Sequence, residues 1–191
     1  LARRNIAAFL AEPFDAFIAN AAGCGSTLKE YGELLAGDEQ WAERAEIFSE
    51  KVRDVTEFLA EAGLVQGLGP VPARATYQDP CHLVHGQRVR SAPRELIRQV
   101  PGLEFRELPL AEICCGSAGI YNVVHHELSM SLLRKKVEAI GWTRADLVLT
   151  ANTGCLLQLR AGLRQWGSGQ RVWHVVELLE ASLRAASELP P

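Results

Sequence analysis

Residues 146–155 read Asp146-Leu147-Val148-Leu149-Thr150-Ala151-Asn152-Thr153-Gly154-Cys155, and this stretch decides how the rest of the chain is read. A short apolar, β-rich run passes through small and polar residues into a glycine–cysteine turn, and Leu156, Leu159 and Leu163 follow at helical spacing. The pattern predicts a strand that feeds a helix, with the cysteine at the helix start. Sliding the chain by 131 positions lays residues 1–24 on 132–155 without a gap. Arg3-Arg4 meets Arg134-Lys135, Ile6 meets Val137, Asp15 meets Asp146, Phe17-Ile18 meets Val148-Leu149, and Gly23-Cys24 meets Gly154-Cys155. A repeat of this density predicts a duplicated helix–strand–cysteine-turn–helix unit. The expected organisation is the tail of a first, truncated repeat at 1–36, a connecting helix and linker at 37–74, and a complete second repeat at 75–191. Because residue 1 is leucine, the chain is expected to be a piece of something longer.

Between the copies, Asp38 after Gly37 is a candidate helix start and Gly63 a candidate stop. Trp41, Ala45, Phe48, Val52, Val55, Leu59 and Ala62 form one apolar seam, which predicts a single continuous helix packed on its own domain. Gly67, Gly69, Pro70 and Pro72 mark a linker at 66–74. Beyond it, strands are expected at 75–77, 103–108, 146–151 and 172–175, with helices at 92–100, 125–140, 155–166 and at the end of the chain. Such alternation implies an α/β fold with mainly parallel sheets flanked by helices. Functional groups then gather in the loops beyond the carboxyl ends of the strands.

Composition removes several classes of function. The chain has 191 residues, 48% hydrophobic and 23% charged, which is ordinary for a globular domain and excludes disorder and collagen. Charges interrupt every apolar run before membrane-spanning length, and Arg3-Arg4 is not an export signal because Glu12, Pro13 and Asp15 break the region after it. A net charge of −3, with arginines scattered along the chain, argues against a nucleic-acid surface. Nothing addresses the chain to export, so a cytoplasmic, reducing setting with free or metal-bound thiols is expected.

The five cysteines are informative by position. Cys81 follows one expected strand, Cys114-Cys115 the next and Cys155 a third, so all four fall at one edge of the sheet. Turn-forming neighbours accompany each: Asp79-Pro80 before Cys81, Gly116-Ser117-Ala118-Gly119 after Cys115, and Gly154 before Cys155. Buried apolar cysteines and a strained vicinal disulfide are competing readings. Structural zinc favours C-x(2–4)-C knuckles, which are absent here. Adjacent thiolates suit a multi-iron cluster, in which each sulfur binds a different iron. His82, His85, His125 and His126 read as exposed turn residues, His174 as a hydrogen-bonded core residue and Asp79 as a turn cap. Gly116-x-x-Gly119 is too short for a dinucleotide fingerprint, and no nucleophile elbow, P-loop or carboxylate pair is present.

Cys81, 32 residues, Cys114-Cys115, 39 residues and Cys155 together resemble the CCG cysteine-rich domain of the family that includes the heterodisulfide reductase catalytic subunit. Tyr77-Gln-Asp-Pro-Cys81-His-Leu-Val-His-Gly-Gln87, Cys114-Cys-Gly-Ser-Ala-Gly-Ile-Tyr-Asn122 and Thr150-Ala-Asn-Thr-Gly-Cys155 are most similar to the glycolate oxidase iron–sulfur subunits, as is Arg3-Arg4-Asn5-Ile6 with Gly23-Cys24-Gly25. The resemblance implies a [4Fe–4S] cluster on Cys81, Cys114, Cys115 and Cys155, with Cys24 a ligand only in the intact subunit. It further implies electron transfer from a flavin-containing subunit that oxidises glycolate to glyoxylate. The complex would be a hetero-oligomer, on a membrane only peripherally and through its partners. This chain would carry no substrate chemistry itself. Asn152 and, in the first copy, Ala21 stand where the full pattern has a further cysteine, which argues against the disulfide chemistry of noncubane clusters. Subunits of lactate- or glycerol-3-phosphate-type dehydrogenases, and a non-redox structural scaffold, are the alternatives.

Overall fold

The computed structural model describes residues 1–63 and 66–188. Positions 64–65 of the expected connecting segment and 189–191 of the expected second repeat lie outside the described residues. Six strands occur among the described residues: β1 (Phe17–Ala19), β2 (Val52–Asp54), β3 (Ala73–Tyr77), β4 (Leu103–Glu107), β5 (Leu147–Thr150) and β6 (Arg171–His174). β1 and β2 pair in parallel as a small sheet of their own, and the other four form a wholly parallel sheet in the order β4-β3-β5-β6. This is the expected α/β architecture, with connections through helices α6 (Ala92–Arg98), α7 (Tyr121–Val124), α8 (His126–Thr143) and α9 (Thr153–Trp166).

β5 lies between β3 and β6 and is buried at all four positions, which explains its unbroken Leu-Val-Leu run. One face of the sheet packs Tyr77, Leu147 and Leu149 against Leu96, Ile97 and, from α10 (Val175–Ser187), Leu178 and Leu179. The other packs Val148 and Val172 against Leu133, Val137 and Ile140 of α8 and Leu159 and Leu163 of α9. A third, smaller core joins Ile6 of α1 (Ala2–Phe9) to Tyr31 of α3 (Tyr31–Leu34), Ala45, Phe48 and Val52.

The two stretches aligned by the 131-residue shift, 1–24 and 132–155, each supply a helix, a strand and the opening of the next helix, which for the first copy is α2 (Ala22–Lys29). They touch where they turn: Ala22 N–H donates to the Ala151 carbonyl at 3.2 Å, and Gly23 N–H to Asn152 Oδ1 at 3.1 Å.

The single helix expected between Asp38 and Gly63 is broken. α4 (Ala42–Lys51) ends at Lys51, Val52–Asp54 forms β2, and α5 (Val55–Ala62) begins afresh. Val52 is fully buried in the strand beside Phe17, and its β-branched side chain suits the extended backbone. Asp54 then restarts the helix: its Oδ1 accepts from Thr56 N–H at 2.8 Å, and Glu57 Oε2 accepts from Asp54 N–H at 3.1 Å. This reciprocal capping box is readable as Asp54-x-x-Glu57, a signal that the continuous apolar seam obscured. An identical device at His174 and Glu177 starts α10, with His174 Nδ1 accepting from Val176 N–H. His174 is therefore the hydrogen-bonded buried residue expected. The linker also ends earlier than expected, since β3 opens at Ala73.

At Gly69 the linker presses on α10. A Cβ there would sit 2.6 Å from the Ala185 carbonyl carbon, and Ser182 Oγ donates to Gly69 O at 2.6 Å. Backbone cannot yield as a side chain does, so Gly69→Ala is expected to lose about 1–3 kcal/mol of stability. Urea denaturation reads this as a lower midpoint at unchanged slope.

Candidate functional site

Parallel pairing places the ends of β4, β3 and β5 side by side, and each end leads into a cysteine turn. Cys81 enters a single π-helical turn at His82–Gly86, Cys114-Cys115 lie in the loop after β4, and Cys155 sits in the first turn of α9. Cys115 and Cys155 are buried, Cys81 and Cys114 half-buried. The four thiols interact as a chain in the order 81-114-115-155, and this chain sets their proton affinities. Hydrogen bonding from Cys115, and then from Cys81, holds the Cys114 thiol low, at about 2. Cys155 is likewise lowered, chiefly by its bond to Cys115. The donors move the other way: Cys81 is pushed up by its bond to Cys114, and Cys115 by its bonds to Cys114 and Cys155.

Polar hydrogens are aimed at the sulfurs. Gly116 N–H donates to Cys114 Sγ at 3.3 Å, and Asn152 Nδ2 donates to Cys155 Sγ at 3.4 Å. Gly116 is required by conformation and by space, having φ of 90° and a notional Cβ at 2.5 Å from Ser129 O. Its carbonyl accepts from Ser129 Oγ at 2.8 Å, and Ser129 Oγ accepts from Gln158 Nε2 at 3.0 Å. The Cys-Cys loop is therefore braced from α8 and from α9.

Of the remaining residues singled out in the sequence, Cys24 is exposed and takes no part in the thiol chain. His82 Nδ1 lies 3.5 Å from Cys81 Sγ. His85 pairs with Glu112 at 3.9 Å, and His125 and His126 are exposed. Asp79 is not a turn cap. Its carboxylate is buried and accepts both arms of Arg94, at 2.8 and 2.7 Å, while its N–H donates to Ala111 O at 3.3 Å. Two further residues had no obvious sequence signal. Asn152 reads as a missing cysteine yet supplies an N–H to sulfur, and Lys136 reads as one charge in a basic run yet is buried behind the cysteines.

Among the described residues, no three His, Cys, Asp or Glu side chains surround a single metal-ion position. The four thiols instead stand as separate donors at one sheet edge, backed by N–H groups and a buried cation. That donor set fits a multi-metal group held by thiolates, whose sulfurs take hydrogen bonds from the protein.

Such an array of cysteine turns on a parallel α/β sheet defines a thiolate-donor domain. Residues 75–160 match the family model described as the CCG cysteine-rich domain. The chain belongs to this family of CCG cysteine-rich proteins. It is 46% identical over 183 residues to a probable glycolate oxidase iron–sulfur subunit of Bacillus subtilis, covering 94% of this chain and 41% of that protein. It is 32% identical over 178 residues to lactate utilization protein A of Lysinibacillus sphaericus, covering 93% of this chain and 77% of the relative. The namesake in Shouchella clausii is 34% identical over 168 residues, covering 87% and 70% respectively. The chain thus spans less than half the length of the Bacillus subtilis relative.

The Asp79–Arg94 pair anchors the turn that presents Cys81. Removing the cation strands a buried carboxylate, so Arg94→Met is expected to lower stability by about 3–5 kcal/mol. Thermal melting of the variant beside the wild type checks this; a shift of under a degree would contradict it.

Proposed function

We propose that this chain is the cluster-bearing part of an electron-transfer subunit in a complex that oxidises a 2-hydroxy acid. The observation that carries the reading is the placement of four cysteines in the turns that follow three adjacent parallel strands. Cys81, Cys114, Cys115 and Cys155 hold a [4Fe–4S] cluster, and Cys24 serves as a ligand only alongside residues of a longer subunit. When bound, the cluster supplies a one-electron acceptor and donor. The chain's own part is to keep four sulfurs at one edge, direct Gly116 N–H and the Asn152 amide at them, and exclude water from Cys115 and Cys155. The division at residues 36 and 74 belongs to the same reading, with the second repeat forming the cluster unit.

Substrate oxidation resides elsewhere. A flavin-containing partner removes two electrons and two protons from glycolate to give glyoxylate, and the electrons leave singly through this chain. The 46% identity to the Bacillus subtilis protein supports glycolate. Several relatives named for lactate utilization, 31–34% identical, support lactate as the second reading. Either complex is cytoplasmic and meets a membrane only peripherally.

Anaerobically purified protein is expected to carry about four irons and four acid-labile sulfides per chain. One zinc per chain, or no metal after reconstitution, would instead mark a structural scaffold. Cys115→Ser is expected to lower iron and abolish electron transfer while the flavin half-reaction of the partner persists. Cluster bleaching on mixing the complex with glycolate or with lactate decides the substrate.

A further inference from the structure

Lys136 is the only buried lysine or arginine among the described residues, at 1% exposure. It lies on α8, on the face turned toward the cysteine loops, while its neighbour Lys135 is exposed. Its ammonium donates to two backbone carbonyls, Leu110 O at 2.7 Å and Ala111 O at 2.9 Å. Among the described residues no carboxylate lies within ion-pairing distance of it; the nearby buried acid, Asp79, is committed to Arg94. An ammonium removed from water without an opposite charge is costly, and carbonyl dipoles offset only part of that cost.

Negative charge on the groups around Lys136, Cys115 first and then Asp79, Cys155 and Cys114, favours its ammonium form. Burial drops its own affinity for a proton to about 8, against the pull of those anions, so the side chain is largely charged at neutral pH. The two carbonyls it binds precede the Cys-Cys pair by only a few residues. Ala111 O also accepts from Asp79 N–H, so the ammonium sits where the Cys81 turn and the Cys114 loop are tied together. Leu110 holds a left-handed backbone, φ 58°, which a non-glycine residue keeps only when its surroundings fix it.

We infer that Lys136 is the built-in counter-charge of the thiolate-bound cluster, raising its reduction potential while fixing the loop that carries Cys114 and Cys115. The inference rests on the iron–sulfur reading of the cysteine set. Reduction adds an electron to a group that is already negative, and a fixed cation in a dry setting favours that step. Without the charge, the oxidised form gains ground.

The test is a redox titration of the cluster, followed by electron paramagnetic resonance, in the intact protein carrying Lys136→Met, Lys136→Gln or Lys135→Met. Methionine keeps the volume and drops the charge; glutamine keeps an N–H donor without the charge. Both Lys136 variants are expected to shift the reduced-to-oxidised ratio at fixed potential about tenfold toward the oxidised form, about 59 mV for one electron. Lys135→Met, with its charge in water, is expected to leave the ratio unchanged. An unmoved potential in Lys136→Gln with iron and sulfide at wild-type levels would overturn the inference, as would an equal shift in Lys135→Met. If Lys136→Met fails to fold, Lys136→Gln alone decides. Wild-type protein without iron or sulfide would instead refute the iron–sulfur reading, a result distinguishable from either outcome above.

Discussion

Everything at the candidate site follows from parallel pairing of β3 with β4 on one side and β5 on the other. Parallel strands share a polarity, so their carboxyl ends, and whatever the chain places just after them, must lie side by side. Positions 81, 114 and 155 are remote in sequence, yet each follows a strand by a few residues. An antiparallel arrangement of the same strands would scatter the thiols to opposite edges. The hydrophobic run of β5, buried on both faces, is thus as much a part of the site as the cysteines.

Around the thiols the charges are divided between two cations with different tasks, the half-buried Arg94 and the buried Lys136. Arg94 is spent locally: its fork grips Asp79 and its Nε reaches Glu107, so it stiffens the turn before Cys81. Lys136 contacts only neutral carbonyls and leaves its charge free to act. The planar, bidentate group suits anchoring and the compact ammonium suits a point field. Asn152 completes the pattern as a neutral donor, with Nδ2 toward Cys155 and Oδ1 receiving Gly23 N–H.

Periodicity and turn chemistry made the second half of the fold legible. The strands at 147–150 and 171–174 and the helix at 153–166 are local consequences of β-rich runs bounded by Asn, Gly and capping residues. The four cysteines could be placed at one edge because parallel topology needs only the order of strands and turns. Two things stayed hidden. The 4-3 spacing of Trp41, Phe48, Val52 and Leu59 runs on in the sequence past the break at β2, although Trp41, Phe48 and Val52 pack in the smaller core and Leu59 in the larger one, so spacing alone could not reveal the break. The partners of Asp79 and the burial of Lys136 depend on which helix backs which loop, a tertiary fact that no local pattern encodes.

The sheet order carries a consequence for how the protein is made. β5 occupies the interior of the four-stranded sheet but is synthesised after both β3 and β4, and its neighbour β6 follows later still. While the ribosome is still short of residue 155, three of the four thiols have emerged and stand beside a slot that the chain has not yet filled. Long-range pairing of this kind is slow and leaves strand edges open meanwhile. The set of four cysteines is therefore completed only after β5 and the turn behind it have been made. The last strand to enter the middle of the sheet is the latch that brings the fourth thiol to the other three.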